Sequence, residues 1–119
     1  MVHASVGHVH LKVADLERAI TFYRDILGFE LNQKFGTQAA FLGAGGYHHH
    51  IGLNTWESAG ATPPPEGHTG LYHAAFVYPD RNVSTTLRQW LLDFKLGFPP
   101  FALVDLSRQQ SGCEAAWVA

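Results

Sequence analysis

From residue 7 to residue 13 polar and apolar side chains alternate. His8, His10 and Lys12 fall on one face and Val9, Leu11 and Val13 on the other, the period-two pattern of a strand. The period then changes. Leu16, Ala19, Ile20, Tyr23 and Leu27 recur at helical spacing, so a helix with one apolar stripe is predicted. Asp15 suits its N-cap, where a carboxylate accepts from the free N–H groups of the first turn. Gly28 suits the left-handed stop at its end. Three short strands follow in the pattern, over 29–34, 39–42 and 48–54, with turns at Gly36-Thr37 and from Gly43 to Gly46. The order is strand, helix, strand, strand, strand.

Part of that pattern recurs. His8 is followed seven positions later by Asp15, and His73 by Asp80, so the two copies are offset by 65 positions at both points. The second copy opens with a strand over 71–78. A helical stripe of Val83, Leu87, Trp90, Leu91 and Phe94 follows, and Gly97 ends it. Between the copies, residues 56–70 read as a linker, because Pro63-Pro64-Pro65 with Gly60 and Gly67 forbid a regular element. The chain is thus read as a single domain, 1–119, with unit one at about 6–55 and unit two at 71–119. The second unit looks compressed. Its last 21 positions, 99–119, must hold what takes 25 positions, 30–54, in the first. Only 101–106 and 114–118 in that tail suit strands. A repeat that puts one histidine on the opening strand of each unit can bring two imidazoles to one point, the geometry of a metal site.

Composition narrows the classes. With 46% hydrophobic and 15% charged residues the chain is of globular type. A net charge of −2 with no basic run gives no electrostatic support for binding nucleic acid. No apolar run reaches the roughly 18 residues of a membrane helix. The first residues lack the basic-then-apolar order of a secretory signal, and a lone cysteine, Cys113, cannot pair within the chain. A cytoplasmic location is the resulting expectation.

The segment from Gly7-His8-Val9-His10-Leu11-Lys12-Val13-Ala14-Asp15 to Phe22-Tyr23-Arg24-Asp25-Ile26-Leu27-Gly28-Phe29 resembles the vicinal oxygen chelate superfamily of glyoxalases, bleomycin-resistance proteins and extradiol dioxygenases. Gly70-Leu71-Tyr72-His73 carries a second match. The stretch Ala44-Gly45-Gly46-Tyr47-His48-His49-His50-Ile51-Gly52-Leu53-Asn54-Thr55-Trp56 looks nearest to the catechol 2,3-dioxygenase-like branch. The resemblance implies an α+β fold in which paired βαβββ units form a curved half-barrel sheet, here with an incomplete second unit. It implies a divalent metal held by His8, His73 and a carboxylate from the last strand of the second unit, for which Gly112-Cys113-Glu114 offers Glu114. Two imidazoles and a carboxylate on one side of the ion suit Fe(II), with Mn(II), Zn(II) or Ni(II) as substitutes. Such a site makes the chain an extradiol dioxygenase-like, ring-cleaving oxidoreductase for a small aromatic vicinal diol.

If 48–54 is one strand, His48 and His50 share a face, and His50 is the expected proton-handling residue beside the metal. His10, Tyr47, Asn54 and Tyr72 are the expected substrate-binding residues, with Phe41 and Trp56 adding aromatic wall. For each of these the plain alternative is packing: aromatic residues at strand spacing are more often core than pocket. Two other activities fit the same resemblance. A glyoxalase-type isomerase or lyase would want a glutamate on the last strand of unit one, where this chain has histidines. A metal-free module that binds or sequesters small molecules would need no third ligand. An incomplete unit exposes sheet edges and apolar surface, which a homodimer would cover. Light scattering at working concentration should therefore give twice the mass of one chain, and a monomeric mass would contradict it.

Overall fold

The computed structural model describes residues 1–71 and 74–78, and the backbone of 114–118. The chain divides into two compact units, Met1–Pro64 and Pro65–Ala119, and the division falls inside the three-proline run. In the first unit the elements are β1 (Val9–Lys12), α1 (Leu16–Thr21), a π-helical turn (Phe22–Ile26), β2 (Glu30–Phe35), β3 (Ala39–Gly43) and β4 (Ile51–Asn54). These make one mixed, curved and unclosed sheet in the order β1-β4-β3-β2, as a βαβββ unit requires. β1 runs parallel to β4, with Val9 beside Ile51 and Lys12 beside Asn54. β3 is antiparallel to both of its neighbours.

The helix starts as its sequence dictates. Asp15 has extended backbone, and its carboxylate accepts from the Arg18 N–H at 3.0 Å. The end of the helix departs from the 3.6-residue reading. The Leu27 N–H donates to the Phe22 carbonyl five positions back, at 3.1 Å, so this turn holds one residue more than an α-turn. Phe22 and Ile26 are buried beside Tyr23 and Leu27, a wider stripe than the sequence reading predicts. Gly28, at φ +80°, then turns the chain, and the Phe29 N–H closes back onto the Tyr23 carbonyl at 3.0 Å.

α1 lies against β3 and β4. Ile20, Leu27, Leu42, Ile51 and Leu53 are fully buried. Burial of side chains of this size is worth about 1.5–3 kcal/mol each, against about 1 kcal/mol for a cap. Packing, far more than capping, therefore holds the helix. Register then fixes the other face of the sheet. Because Leu42 and Ile51 point toward α1, their neighbours Phe41 and Gly52 point away, in one row with His10 and Gln33. This far face carries His10, Lys12, Phe41 and the exposed Phe35.

Two strands differ from the sequence pattern. β2 contains a bulge between Leu31 and Gln33, which leaves Asn32 without a ladder partner on β3. β4 begins at Ile51, three residues later than expected. At that end the His50 N–H donates to the Leu42 carbonyl at 2.8 Å, and the Ala44 N–H goes to the Nδ1 atom of His50, at 3.2 Å. The three histidines thus lie in the turn before β4.

In the second unit, β5 (Ala74–Tyr78) pairs antiparallel with β6 (Glu114–Val118), so the strand expected in the tail is present. Its register sets Ala74 beside Val118 and Tyr78 beside Glu114. Tyr72, His73 and the helix expected after Asp80 lie outside the described residues. Among the described residues no helix is long and apolar enough to cross a membrane.

Burial pushes the Tyr23 phenol up to about 12, and it does the same to Tyr78. A buried phenol resists ionisation, so the folded value exceeds that of the unfolded chain. The stabilisation is complete below the ordinary value of 10.0 and is lost as pH rises through about 12. For Tyr23 the rise from 10.0 to about 12 corresponds to roughly 3 kcal/mol. Spectrophotometric titration should show late-ionising tyrosines. Tyr23→Phe should remove one equivalent from that late phase and flatten the fall of stability between pH 10 and about 12. An undiminished late phase in the variant would show that Tyr23 is not buried in this way.

Candidate functional site

The far face of the first unit gathers the histidines. His8 precedes β1 and is exposed, and the Val9 N–H after it donates to the His50 carbonyl at 2.9 Å. The His8 and His49 rings lie 4.6 Å apart. His49 in turn lies 5.0 Å from Phe41, Phe41 lies 5.9 Å from His10, and His10 lies 5.8 Å from Trp56. These five rings form a continuous aromatic row of the kind that takes a planar ligand.

Glycines make this row possible. A Cβ on Gly52 would meet the His10 ring at 2.9 Å, so His10 lies flat across the strand only because Gly52 has no side chain. A Cβ on Gly43 would meet the Tyr47 carbonyl at 2.4 Å and the Asn32 amide at 2.6 Å. The His-rich turn folds down onto that gap. Gly45 and Gly46, both at positive φ, carry the chain into it. Asn32 then donates from Nδ2 to the carbonyls of Tyr47 (3.0 Å) and His48 (2.8 Å).

The turn divides the three histidines. His49 is the one beside His8. Partial burial first, and then the charges of His48, His8, His10 and His50, hold its imidazole below the ordinary histidine range. His50 lies 4.5 Å from Tyr47 and 6.1 Å from Phe29, and its Nδ1 is occupied by the Ala44 N–H. The alternation that pairs His48 with His50 on one face does not hold, because residues 48–50 are not strand. His48 is exposed, 4.3 Å from Tyr47 and 4.5 Å from His49.

The other expected residues are placed as follows. His10 lies on the far face, in the aromatic row. Tyr47 is partly exposed and packs on the rings of His48 and His50. Asn54 is buried, and its Oδ1 accepts from the Trp56 N–H at 3.3 Å, which shapes the turn after β4. Lys12 ends the far-face row of β1 and pairs with Glu57 in an exposed ion pair, which contributes little to stability. Tyr72 and His73 lie outside the described residues. Glu114 is placed by its backbone alone: it stands opposite Tyr78, four positions along β5 from Ala74, or roughly 13 Å.

A divalent metal needs donors that converge. Among the described residues, no group of three His, Cys, Asp or Glu side chains comes together that could hold one. Two histidines and a glutamate suit Fe(II) by chemistry. The first unit offers His8 to such a set.

Fold and far face define a class. The chain belongs to the glyoxalase/bleomycin resistance protein/dioxygenase superfamily, whose family model matches residues 5–87. It is 48% identical over 75 residues, 62% of its length, to a catechol-2,3-dioxygenase of Bacillus subtilis (strain 168). The chain spans about a quarter of that relative, 26% of its length. No solved structure matches the chain.

Three contributors escape the sequence pattern. His49 is hidden because alternation carries the strand back over the turn. Asn32 is hidden because a bulge leaves no mark in a polar edge strand. Gly52 reads as a weak strand residue until its partner His10 is known.

The two close-contact glycines should respond differently to substitution. In Gly52→Ala the obstacle is the His10 ring, which must swing about its Cα–Cβ bond, so the cost should be smaller than at Gly43 while the His10 resonances move. In Gly43→Ala the obstacle is backbone, so the cost should be about 1–3 kcal/mol and the resonances of 47–50 should shift. Chemical denaturation and NMR of both variants check this. Equal costs at the two sites would contradict these contacts.

Proposed function

We propose that this chain acts as an extradiol dioxygenase-like oxidoreductase on a small aromatic vicinal diol. The observation that carries the proposal is the 48% identity to a catechol-2,3-dioxygenase. The His8–His49 contact at the end of an aromatic row supports it. The row Phe41, His10 and Trp56 would bind the diol's ring, with Tyr47, Asn54 and Tyr72 as further polar contacts. A divalent ion, Fe(II) first, would be held by His8 and His73, with Glu114 as the carboxylate in the family's position. When bound, that ion supplies Lewis acidity and a template for the two oxygens of the diol.

What the residues themselves do can be stated more closely. His8 presents an exposed imidazole at the start of the row. His49, whose ring lies tilted 4.6 Å from that of His8, would take a proton from a diol hydroxyl and hand it on. His50 has a ring nitrogen already committed to the Ala44 N–H, which suits it to holding the turn. It remains the competing candidate for proton transfer.

One observation favours a second reading. The register that sets Glu114 beside Tyr78 weighs against a closed ligand set and for a metal-free module that binds planar molecules on the far face. A single series of experiments separates the two. The chain loaded anaerobically with Fe(II) should bind about one ion, convert catechol to the yellow ring-cleaved product, and lose both properties in His8→Ala. His49→Gln should lower kcat by about 10²–10⁴ if it moves the proton, and His50→Gln by much less. Tight binding of catechol by the metal-free chain, with no product when Fe(II) is added, would establish the second reading and end the first.

A further inference from the structure

We propose that Asn32 is a positioning residue: its amide sets the angle at which His49 meets His8. The proposal rests on the reading that the His8–His49 pair serves the reaction.

The bulge in β2 has two separable consequences. It interrupts an edge strand, which protects the sheet from pairing with another chain, and any polar residue would serve that purpose. The second consequence needs this residue. With no ladder partner, Asn32 directs its side chain past Gly43 toward the His-rich turn. There Nδ2 donates to two consecutive carbonyls, of Tyr47 and His48. Those carbonyls belong to the peptide groups 47–48 and 48–49, the two that lead into His49. Fixing both planes fixes the direction in which the chain enters His49. On its other side the turn is held at residue 50, where the His50 N–H donates to the Leu42 carbonyl at 2.8 Å and the His50 carbonyl accepts from Val9. His49 is therefore clamped from both ends, by Asn32 before it and by the sheet after it.

Solvation alone does not explain this arrangement. The two hydrogen bonds are exposed, and water would satisfy the two carbonyls if Asn32 were absent. What Asn32 adds is a single geometry. The geometry also depends on Gly43, since a Cβ there would fall 2.6 Å from the Asn32 amide and 2.4 Å from the Tyr47 carbonyl. Thus the bulge, the amide and the glycine act together on one turn.

Three substitutions test this in the full chain. Asn32→Asp keeps the size but turns the donor group into a carboxylate facing two carbonyls. Asn32→Ala removes the side-chain amide altogether. Asn32→Gln keeps the donor on a longer arm and should restore part of the function. The first readout is the nuclear Overhauser signal between the His8 and His49 rings in metal-free protein. It should weaken or vanish in Asn32→Asp and Asn32→Ala and return in part in Asn32→Gln. The second readout is catechol turnover with added Fe(II), where kcat should fall at least about tenfold while KM stays within about twofold. A wild-type ring signal in Asn32→Asp would overturn the proposal. So would disappearance of the signal in all three variants alongside a shared fall in their unfolding midpoints, which would mark a general structural role. If the wild-type chain does not cleave catechol, the proposed function fails, and the ring signal still decides the role of Asn32.

Discussion

Burial of Leu42, Ile51 and Leu53 under α1 is the constraint from which the rest of the first unit follows. Side chains in a sheet alternate, so committing these three to the helix side commits Phe41, Gly52 and their row partner His10 to the other side. A slip of one residue in β4 would send Gly52 and Asn54 under the helix and expose Ile51 and Leu53. Several kilocalories of burial oppose that slip. The histidine face is therefore held by apolar packing on the opposite side of the sheet, and none of the imidazoles needs to stabilise its own position.

The same parity explains why the unit places its close-fitting glycines where it does. The helix side is filled with branched and aromatic side chains. The far side must let an imidazole lie across a strand and a turn fold onto its end. Both demands appear as a Cβ that would fall within 3 Å of a neighbour, at Gly52 and at Gly43. Their tolerance differs, since a ring can swing aside and a carbonyl in a clamped turn cannot. His50 completes this end of the sheet by taking the Ala44 backbone N–H. Three histidines in a row take up three different surroundings.

These features also mark how far the sequence can be read. The start of β1, the Asp15 cap and the Gly28 stop are legible because each rests on local chemistry: alternation, a carboxylate near free N–H groups, and positive φ. The set of core residues on β3 and β4 follows from the same alternation. The π-helical turn is not legible, because one added residue in a turn alters no residue type. Nor is the bulge at Asn32, in a strand whose polar residues all face solvent. The identity of the histidine beside His8 depends on where β4 begins, and there the Ala44 N–H goes to a side chain six residues away. Local pattern identifies the elements. The contacts between their ends decide which functional group points where.

The repeat of His8 and Asp15 at His73 and Asp80 suggests two units of one plan, yet the described strands of the second unit do not reproduce the pairing of the first. In unit one the opening strand lies parallel to the last, so residue numbers rise together along both, and the end of β1 nearest His8 coincides with the His-rich turn. In unit two β5 lies antiparallel to β6, so numbers rise in opposite senses and Glu114 stands at the end of β5 away from Ala74. The two arrangements differ in what they juxtapose. Parallel pairing sets the start of one strand beside the start of the other, and antiparallel pairing sets it beside the finish. The histidine face is thus built within the first unit's own sheet, independently of how β5 and β6 pair.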